Sequence, residues 1–436
     1  MVYPATIAGV TSNVTKVQNN SSKMSKFQPQ QVKQISYLQD FKCAAASCVD
    51  SCCVGWIVGV SQDNKKFYEE QNSEILQYVE PQNDKEFQML RCDDGSCSQL
   101  ENNLCSVQKN FGEAYLPDIC YTFPRSYKKI SGEVYMAANL ACPESLKVAL
   151  FNNKVGDFSK WDEVEQSRPK AGLYNYSGEK SVVLKGDNVV NIFSAIVEMI
   201  DEDSCNSDYA MSKLLLLTRQ MDQKDDFDWL NLKSEIAQIS KDKIAKIAAE
   251  NFAKVTVQND LFGLLKAIFV LTKIDRPRYN KVVAVIKECG GDYELSEEDF
   301  LKNYEMILKS WNNSQNNFDQ ILKNFIKAKL SYRTFLIGLE NKQQNITAFA
   351  LEYLVIKMAL MCFNHKLQRK MTAEEIIDVI QPLTKRFYGL KNDKLQNFCI
   401  DLQWQDCGKL IAVLLNFSQD RKSKFSQLIS KISSKF

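Results

Sequence analysis

Cysteines are concentrated near the start of the 436-residue chain, where they could act as metal ligands or redox groups. Nine of the fourteen cysteines lie between Cys43 and Cys142, and four of them, Cys43, Cys48, Cys52 and Cys53, fall within eleven residues. Sulfur suits both zinc and iron, and four thiolates can hold either a structural Zn²⁺ or an iron-sulfur cluster. The first third of the chain is therefore predicted to carry the chemistry.

The spacing of these cysteines does not decide between the two metals. The first arm reads C-x₄-C-x₃-C-C, and gaps of x₇, x₁₄ and x₂₁ follow, whereas zinc fingers and ribbons pair short C-x₂₋₄-C arms. The neighbouring side chains of Cys52 and Cys53 diverge, which argues against a single small ion. Cys48 and Cys52 have the first spacing of a radical S-adenosylmethionine loop, but Gly55 stands in its third position. Structural zinc sites, disulfides and inert buried thiols stay open as alternatives.

The composition is that of an ordinary globular protein. Apolar residues make up 45% of the chain, and 55 basic against 53 acidic residues leave a formal charge of +2. Such a balance creates no field that would attract nucleic acid. Residues 1–33 lack the features of a secretory signal and are interpreted as a disordered leader. We therefore expect a cytoplasmic protein, in which stable disulfides are not expected.

The longest apolar run, 348–363, is interrupted by Glu352 and Lys357. It is too short to cross ~30 Å of hydrocarbon, so no membrane span is predicted. Because the run is apolar nearly all round, it predicts a helix buried at the centre of the fold.

The patterning divides the chain at a polar, glycine-containing stretch. Residues 156–186 predict a linker between a cysteine-rich metal or iron-sulfur domain at 34–155 and an all-α domain at 187–436. Apolar residues beyond the linker recur with helical spacing, for example at 226–253. The predicted fold class is mainly α, with a cysteine-rich, loop-rich metal-binding N-terminal domain followed by an irregular all-α helical domain.

Local signals place several elements. Residues 65–78 have the spacing of a helix, and Cys120 to Arg125 is predicted to be extended or turning because the residue before Pro124 avoids helical dihedrals. A short strand is predicted at 134–140, a helix is predicted to open at Cys142-Pro143, and the helical spacing of apolar residues predicts a further helix at 257–274. Thr372 and Glu375 form the capping box of a later helix.

The cysteine-rich segment resembles the bacterial flagellin lysine-N-methylase family. The resemblance rests on Phe41-x-Cys43-x₄-Cys48-Val-Asp50-Ser-Cys52-Cys53-x-Gly55-Trp56, on Cys97 and Cys105, on the run Tyr115-Leu-Pro-Asp-Ile-Cys120-Tyr-Thr-Phe-Pro124-Arg125, and on Ala141-Cys142-Pro143-Glu144. It covers about residues 36–150, with Phe123 where the family more usually has Tyr, and the helical remainder is similar in layout.

The resemblance implies an enzyme that transfers a methyl group from S-adenosylmethionine to lysine ε-amines of flagellin, and it associates the cysteine motif with an iron-sulfur cluster. It makes eight cysteines the expected metal ligands, with zinc as the alternative metal: Cys43, Cys48, Cys52, Cys53, Cys97, Cys105, Cys120 and Cys142.

Methyl transfer to lysine needs a free amine and a site for a sulfonium cation. A carboxylate or phenol can remove the proton of the lysine, and aromatic rings attract the sulfonium and the lysine stem. Aromatic rings near the ligands belong to Tyr115, Tyr121, Phe123, Tyr127 and Tyr135. The candidates for catalysis or for holding cofactor or substrate are Asp50, Tyr121, Arg125 and Glu144. The alternative for each ring is core packing, and for each charged residue a structural ion pair.

Two other functions stay open. One is a non-enzymatic metal-binding adaptor with a structural cysteine cluster, and the other is a redox iron-sulfur protein. No strand, G-x-G loop and helix of a Rossmann-like methyltransferase occurs in the sequence, so S-adenosylmethionine would need a pocket of another kind. His365, the single histidine, is interpreted as a helix-terminal residue and not as a ligand.

Overall fold

Helices form most of the ordered chain. The computed structural model describes residues 30–83, 86–130, 132–152, 155, 162–166, 173–176, 187–224, 227, 229, 231–252, 255, 277–291, 297–332, 341–388, 397, 399–400 and 404–416. The strands are β1 (Gln30–Gln34), β2 (Gly59–Val60), β3 (Val79–Pro81), β4 (Phe87–Met89), β5 (Leu100–Glu101), β6 (Leu104–Cys105), β7 (Arg125–Ile130), β8 (Glu133–Ala138), β9 (Asp162–Gln166) and β10 (Leu173–Tyr176). The α-helices are α1 (Gln62–Glu70), α2 (Ser106–Phe111), α3 (Asp118–Thr122), α4 (Pro143–Phe151), α5 (Asp187–Asp201), α6 (Ser207–Gln223), α7 (Leu232–Ala237), α8 (Lys241–Asn251), α9 (Pro277–Ile286), α10 (Glu297–Asn312), α11 (Phe318–Tyr332), α12 (Lys342–Leu367), α13 (Ala373–Tyr388) and α14 (Cys407–Asn416). The mainly α prediction is confirmed.

A five-stranded mixed sheet packs against the helices. Its order is β10-β7-β8-β1-β9, with β7 and β8 antiparallel and β1 parallel to β8. The predicted linker 156–186 therefore contributes the two edge strands, and the predicted leader 1–33 contributes most of β1. The structure differs from the predicted linker at β9 and β10 and from the predicted leader at residues 30–33, because β1 and β9 consist mainly of polar and charged residues and carry little apolar signal. Residues 1–29 lie outside the described part of the chain.

One large core joins the sheet to the helices. Val32 on β1, Tyr135 on β8 and Leu146 on α4 share a continuous apolar cluster with helices as distant as α14. Helix α11 packs on both β8 and α4. The predicted boundary between 34–155 and 187–436 thus does not separate two cores.

Helix α12 lies at the centre of this core, as predicted. By length and composition it could cross a membrane, but 94% of its most apolar window is buried inside the protein. Its charged residues are paired: the Lys357 ammonium lies 2.6 Å from the Asp208 carboxylate, and Lys329 lies 2.8 Å from Glu352. Buried charges require such partners, which explains how polar interruptions fit into a core helix.

Helix boundaries differ from prediction in the middle of the chain. The predicted helix 226–253 is divided into α7 and α8, and Ser240 caps α8 by accepting a hydrogen bond from the Lys243 amide at 3.2 Å. The capping box of α13 is confirmed, since the Glu375 amide donates to Thr372 Oγ1 at 3.2 Å and the Thr372 amide donates to Glu375 Oε2 at 2.9 Å. A further helix predicted at 257–274 falls outside the described residues.

A small second core organises the cysteine-rich segment. Cys53, Val58, Tyr68 and Cys97 are among its buried members. Helix α1 ends at Glu70, earlier than predicted, and a 3₁₀ turn follows. We call residues 43–123 the cysteine subdomain.

The segment from Cys120 to Arg125 is only partly extended. Residues Asp118–Thr122 form the short helix α3, and extended backbone begins at Phe123. The prediction was wrong for the helical residues because proline restricts only the residue directly before it. The strand predicted near Val134 and the helix opening at Cys142-Pro143 are confirmed as β8 and α4.

Candidate functional site

Four of the predicted ligands meet inside the cysteine subdomain. The Cys97 amide donates to the Cys53 carbonyl oxygen at 2.8 Å, which joins two loops, and Cys105 lies on the β5–β6 hairpin. Cys120 comes from α3. Burial raises its pKa, and the nearby Cys53, Cys105 and Cys97 raise it further. These four cysteines, which we call the inner thiols, therefore come from four separate stretches of chain.

The inner thiols favour the protonated form in the absence of a bound cation. A hydrogen bond with Cys105 lowers the pKa of Cys53, but the Cys52 thiol and burial outweigh it and raise the pKa to about 12. The hydrogen bond with Cys53, together with burial, raises the pKa of Cys105. Burial is the main cause of the raised pKa values of Cys97 and Cys120. Neighbouring thiols in an apolar core cannot all ionise together.

Three other predicted ligands lie apart from the inner thiols. We call Cys43, Cys48 and Cys142 the outer thiols. Burial raises the pKa of Cys48, and the nearby Cys43 and Glu144 raise it further. Cys48 in turn adds to the effect of burial on the pKa of Cys142. Burial raises the pKa of Cys142, the N-cap residue of α4, to about 11. Asn103 connects the two groups, because its side chain donates to the carbonyl oxygens of Ala46 at 2.8 Å and Cys48 at 3.0 Å.

The eight predicted ligands thus do not form one sphere. Cys52 is exposed while Cys53 is buried, in line with the expected divergence of adjacent side chains. Among the residues that the structure describes, no group of three or more His, Cys, Asp or Glu side chains is arranged to hold a metal ion. The inner thiols are neighbours of suitable chemistry and not a preformed coordination sphere. All fourteen cysteines are free thiols.

Asp50 connects the cysteine subdomain to the helical body. Its carboxylate accepts hydrogen bonds from Lys385 Nζ at 2.7 Å and Gln381 Nε2 at 2.7 Å, both on α13, and Arg278 lies 3.9 Å away. The Lys385 ammonium also lies 4.9 Å from the centre of the Trp56 ring. Asp50 therefore forms a structural ion pair, which was the predicted alternative to a catalytic or binding role.

A cleft of about 590 Å³ opens where the cysteine subdomain meets the body. Residues of both parts line it: Ile57, Gly59, Val60, Ser61, Gln82, Glu86, Phe87, Asp118, Ile119, Thr122, Phe123, Arg125, Ser126, Asn139, Tyr332 and Tyr388. Helix α3 separates the cleft from the inner thiols, since Ile119 and Thr122 line the cleft while Cys120 faces Cys53.

Aromatic rings form one wall of this cleft. Trp56 packs on Phe123 with ring centres 5.0 Å apart and on Tyr388 at 6.2 Å, and Tyr388 lies 6.1 Å from Tyr332. Ile57, Ile119 and Tyr388 are each more than 40% exposed. The aromatic and aliphatic side chains at this mouth suit a lysine stem and a cation.

Of the five aromatic residues named from sequence, only Phe123 lines the cleft. Tyr115 and Tyr121 pack against the small core, and Tyr127 and Tyr135 belong to the large core. Burial raises the pKa of Tyr127 to about 12. Core packing, the alternative stated for these rings, is thus what the structure shows for four of the five.

The charged candidates are dispersed. Arg125 lines the cleft and places its guanidinium 5.6 Å from the centre of the Phe41 ring, whereas Glu144 lies in the first turn of α4 near the outer thiols. Their catalytic or binding roles stay predictions.

The cleft also contains carboxylates that sequence reasoning missed. Asp118 accepts hydrogen bonds from the Ser61 hydroxyl at 2.8 Å and from Asn64 at 3.4 Å. Glu86, the residue directly before β4, also lines the cleft. The position of Asp118, two residues before Cys120 in the family-like run, was the available signal. No sequence signal pointed to Tyr332 and Tyr388, which are the last residues of α11 and α13.

One buried hydroxyl faces the cleft without a partner. Ser126 on β7 is 7% exposed, lines the cleft, and its Oγ has no hydrogen-bond partner among the described residues. A buried hydroxyl without a partner is costly, and a bound ligand or water would relieve that cost.

Comparison with known proteins finds a family model and several relatives that this chain resembles. Residues 194–430 match the family model described as FliB lysine N-methylase C-terminal domain. The chain is 28% identical over 123 residues to flagellar biosynthetic protein FliU of Salmonella muenchen, covering 26% of this chain and 73% of FliU. It is equally similar over 123 residues to the lysine-N-methylases of Salmonella choleraesuis and Salmonella typhimurium, of whose length it covers 31%. No solved structure matches the chain. Because the family model spans more than half of the sequence, the chain belongs to the FliB lysine N-methylase family.

Proposed function

We propose that this protein is a cytoplasmic, S-adenosylmethionine-dependent lysine N-methyltransferase that acts on flagellin, with the cleft between the cysteine subdomain and the body as its active site. The observation that carries the proposal is an aromatic-walled cleft in a member of a lysine N-methylase family. The fourteen free thiols are in keeping with a reducing compartment. The names of the similar flagellar and methylase proteins support flagellin as the substrate.

The aromatic wall binds and orients the reactants. Phe123, Tyr332 and Tyr388 line the space in which a lysine stem and a sulfonium would lie, and Trp56 supports two of them by packing on Phe123 and Tyr388. Cations are attracted to such faces by roughly 0.5–2 kcal/mol. S-adenosylmethionine, when bound, supplies the electrophilic methyl group. The Ser126 hydroxyl is available as a hydrogen-bond donor or acceptor to either reactant.

Asp118 is the carboxylate best placed to receive the proton of the substrate lysine. A lysine amine attacks only as the free base, so an enzyme has to remove its proton near neutral pH. Ser61 and Asn64 hold the Asp118 side chain at the edge of the cleft. Asp50, by contrast, is occupied by Lys385 and Gln381.

The inner thiols are the residues that would hold an iron-sulfur cluster or, alternatively, zinc. Cys53, Cys97, Cys105 and Cys120 supply four sulfur donors from four stretches of chain, which is the donor set that both groups require. A bound metal would supply folding free energy and would fix α3, and with it Asp118 and Ile119, at the cleft.

The test is methyl transfer in a purified system. Protein purified without oxygen is incubated with S-adenosylmethionine carrying a labelled methyl group and with flagellin, and labelled lysines are located by mass spectrometry. We expect Asp118→Asn to lower kcat/KM by about 100-fold or more, in the range for general base catalysis. The matched control is Asp63→Asn, an exposed carboxylate in the first turn of α1, which should leave the rate unchanged.

Each outcome of this test has a clear reading. Absence of label on any flagellin lysine with metal-loaded wild-type protein would overturn flagellin as the substrate. Absence of S-adenosylmethionine binding by calorimetry would overturn the methyltransferase assignment. An equal loss for Asp118→Asn and Asp63→Asn would overturn the role of Asp118.

A further inference from the structure

A second pair of thiols lies in the helical body, apart from the cysteine subdomain. Cys289 belongs to a π-helical segment, Lys287–Gly291, that packs against the core helix α12. Its Sγ donates a hydrogen bond to the carbonyl oxygen of Cys362 on α12 at 3.5 Å, and the Cys362 side chain is close enough to be the main cause of the lowered pKa of Cys289. We propose that Cys289 and Cys362 form a dithiol site at which a small hydroperoxide oxidises Cys289 and Cys362 then closes a reversible disulfide.

The two cysteines differ in access. Cys289 lines a pocket of about 350 Å³ together with Glu288, Asn303, Met306, His365 and Lys366. This space accommodates a small hydroperoxide. Cys362 is 2% exposed and does not line this pocket, whereas Cys289 is half-buried. Cys289 is therefore the thiol that meets an oxidant, and Cys362 is the thiol that resolves the product.

Charges around the pocket favour ionisation of the accessible thiol. The hydrogen bond with the Cys362 thiol and the Lys366 ammonium lower the pKa of Cys289, while burial and the Glu288 carboxylate act in the opposite direction. Glu288 is itself paired with Lys366 at 2.5 Å. A thiolate is the reactive form toward peroxides, so these contacts place reactivity on Cys289.

The hydroperoxide is the two-electron oxidant of this reaction, and a dithiol is the reductant that reverses it. The Cys289 thiolate attacks one peroxide oxygen, the O–O bond breaks, and the leaving alkoxide or hydroxide takes a proton to become an alcohol or water. Cys289 is then a sulfenic acid. The Cys362 sulfur attacks the Cys289 sulfur, an S–S bond forms, and the hydroxyl leaves as water. A dithiol reductant restores both thiols by exchange.

The cavity distinguishes this pair from an inert buried thiol. Cys205 is also 2% exposed, but its Sγ lies 3.8 Å from the Ser204 hydroxyl. It serves as an internal control in the same chain, because it shares the burial of Cys362 and its contact is a hydroxyl instead of a thiol.

The experiment follows each cysteine separately in the full-length protein. The protein is treated with increasing hydrogen peroxide, remaining thiols are alkylated after unfolding, and peptides are quantified by mass spectrometry with and without reduction. We expect alkylation of Cys289 and Cys362 to be lost in parallel, with a matching gain of a linked peptide that is two hydrogens lighter. Cys205 should stay alkylated, and reduction should restore both thiols.

Variants separate the two roles. Cys362→Ser should leave Cys289 as a sulfenic acid that dimedone traps, whereas Cys289→Ser should protect Cys362 from oxidation. If either variant fails to fold, the peptides of the wild-type protein still show whether Cys289 and Cys362 become linked. Loss of Cys289 to sulfinic acid without a linked peptide, or retention of both thiols while Cys205 is oxidised, would overturn the proposal. The readout does not depend on methyl transfer.

Discussion

The ion pair between Asp50 and Lys385 is expected to hold the cysteine subdomain on the body. The Lys385 side chain is 4% exposed and that of Asp50 18%, and their charged atoms are 2.7 Å apart. The perturbation is Lys385→Met, which keeps a long apolar side chain and removes the charge. Asp50 is then left with Gln381 and the more distant Arg278.

The expected magnitude follows from burial. Removing one member of a fully buried ion pair costs roughly 3–5 kcal/mol, because the remaining charge stays desolvated. Asp50 is partly solvated and keeps Arg278 at 3.9 Å, so the loss should lie below that range, at about 2–3 kcal/mol. Loss of the cation beside the Trp56 ring should also change the environment of that wall of the cleft.

The assay is urea unfolding followed by tryptophan fluorescence and by circular dichroism, because two probes show whether the cysteine subdomain unfolds separately. The matched control is Lys147→Met, which removes an exposed ion pair between α4 and α13, Lys147 to Glu374 at 3.2 Å. Such a pair contributes about 0–1 kcal/mol. Asp50→Asn combined with Lys385→Met should destabilise by less than the sum of the single changes. If Lys385→Met lowers the free energy of unfolding by no more than Lys147→Met does, the reasoning is refuted.

Three further predictions use matched readouts. Ser126→Ala removes a hydroxyl without a partner in the described structure, so thermal stability should hold or rise by about 1 kcal/mol while calorimetric affinity for S-adenosylmethionine or substrate falls. Hydrogen bonds from Arg369 lower the pKa of Glu375 to about 2, so its contribution to stability is complete above the ordinary pKa of ~4.3 and is lost as pH falls through about 2. Acid unfolding of Glu375→Gln should lack that component. Cys97→Ser should lose bound iron or zinc in elemental analysis, whereas Cys92→Ser, an exposed thiol of the same turn, should keep it.

Strong local signals were sufficient to predict individual elements. The capping box of Thr372 and Glu375, the proline after Cys142 and the apolar run at 348–363 each fix one feature through local chemistry, and the structure confirms all three. The edge strands β9 and β10 escaped prediction because polar strands at sheet edges resemble linkers.

The site was predictable only as far as the cysteines extend along the chain. Their clustering indicated the segment that folds as the cysteine subdomain, but spacing cannot show that Cys53, Cys97, Cys105 and Cys120 come close together inside it. The cleft depends on Tyr332 and Tyr388, which lie more than 200 residues beyond the nearest cysteine-subdomain wall residue, Phe123, and become its neighbours only through packing of α11 and α13. Long-range contacts of this kind leave no local pattern.

The location of the cleft explains why Asp50 matters without touching a substrate. Helix α3 and Phe123 of the cysteine subdomain line the cleft together with Tyr332 and Tyr388 at the ends of α11 and α13, and Trp56 packs on both Phe123 and Tyr388. Neither part encloses the space alone, so the distance between them sets the width of the cleft. Lys385 and Gln381 lie on α13, the helix that ends at Tyr388, and both hold Asp50. The same contact that joins the two parts therefore positions the aromatic wall. Metal bound by the inner thiols would fix α3 at the cleft through Cys120, which would make the geometry of the cleft depend on both the metal and the Asp50 contact.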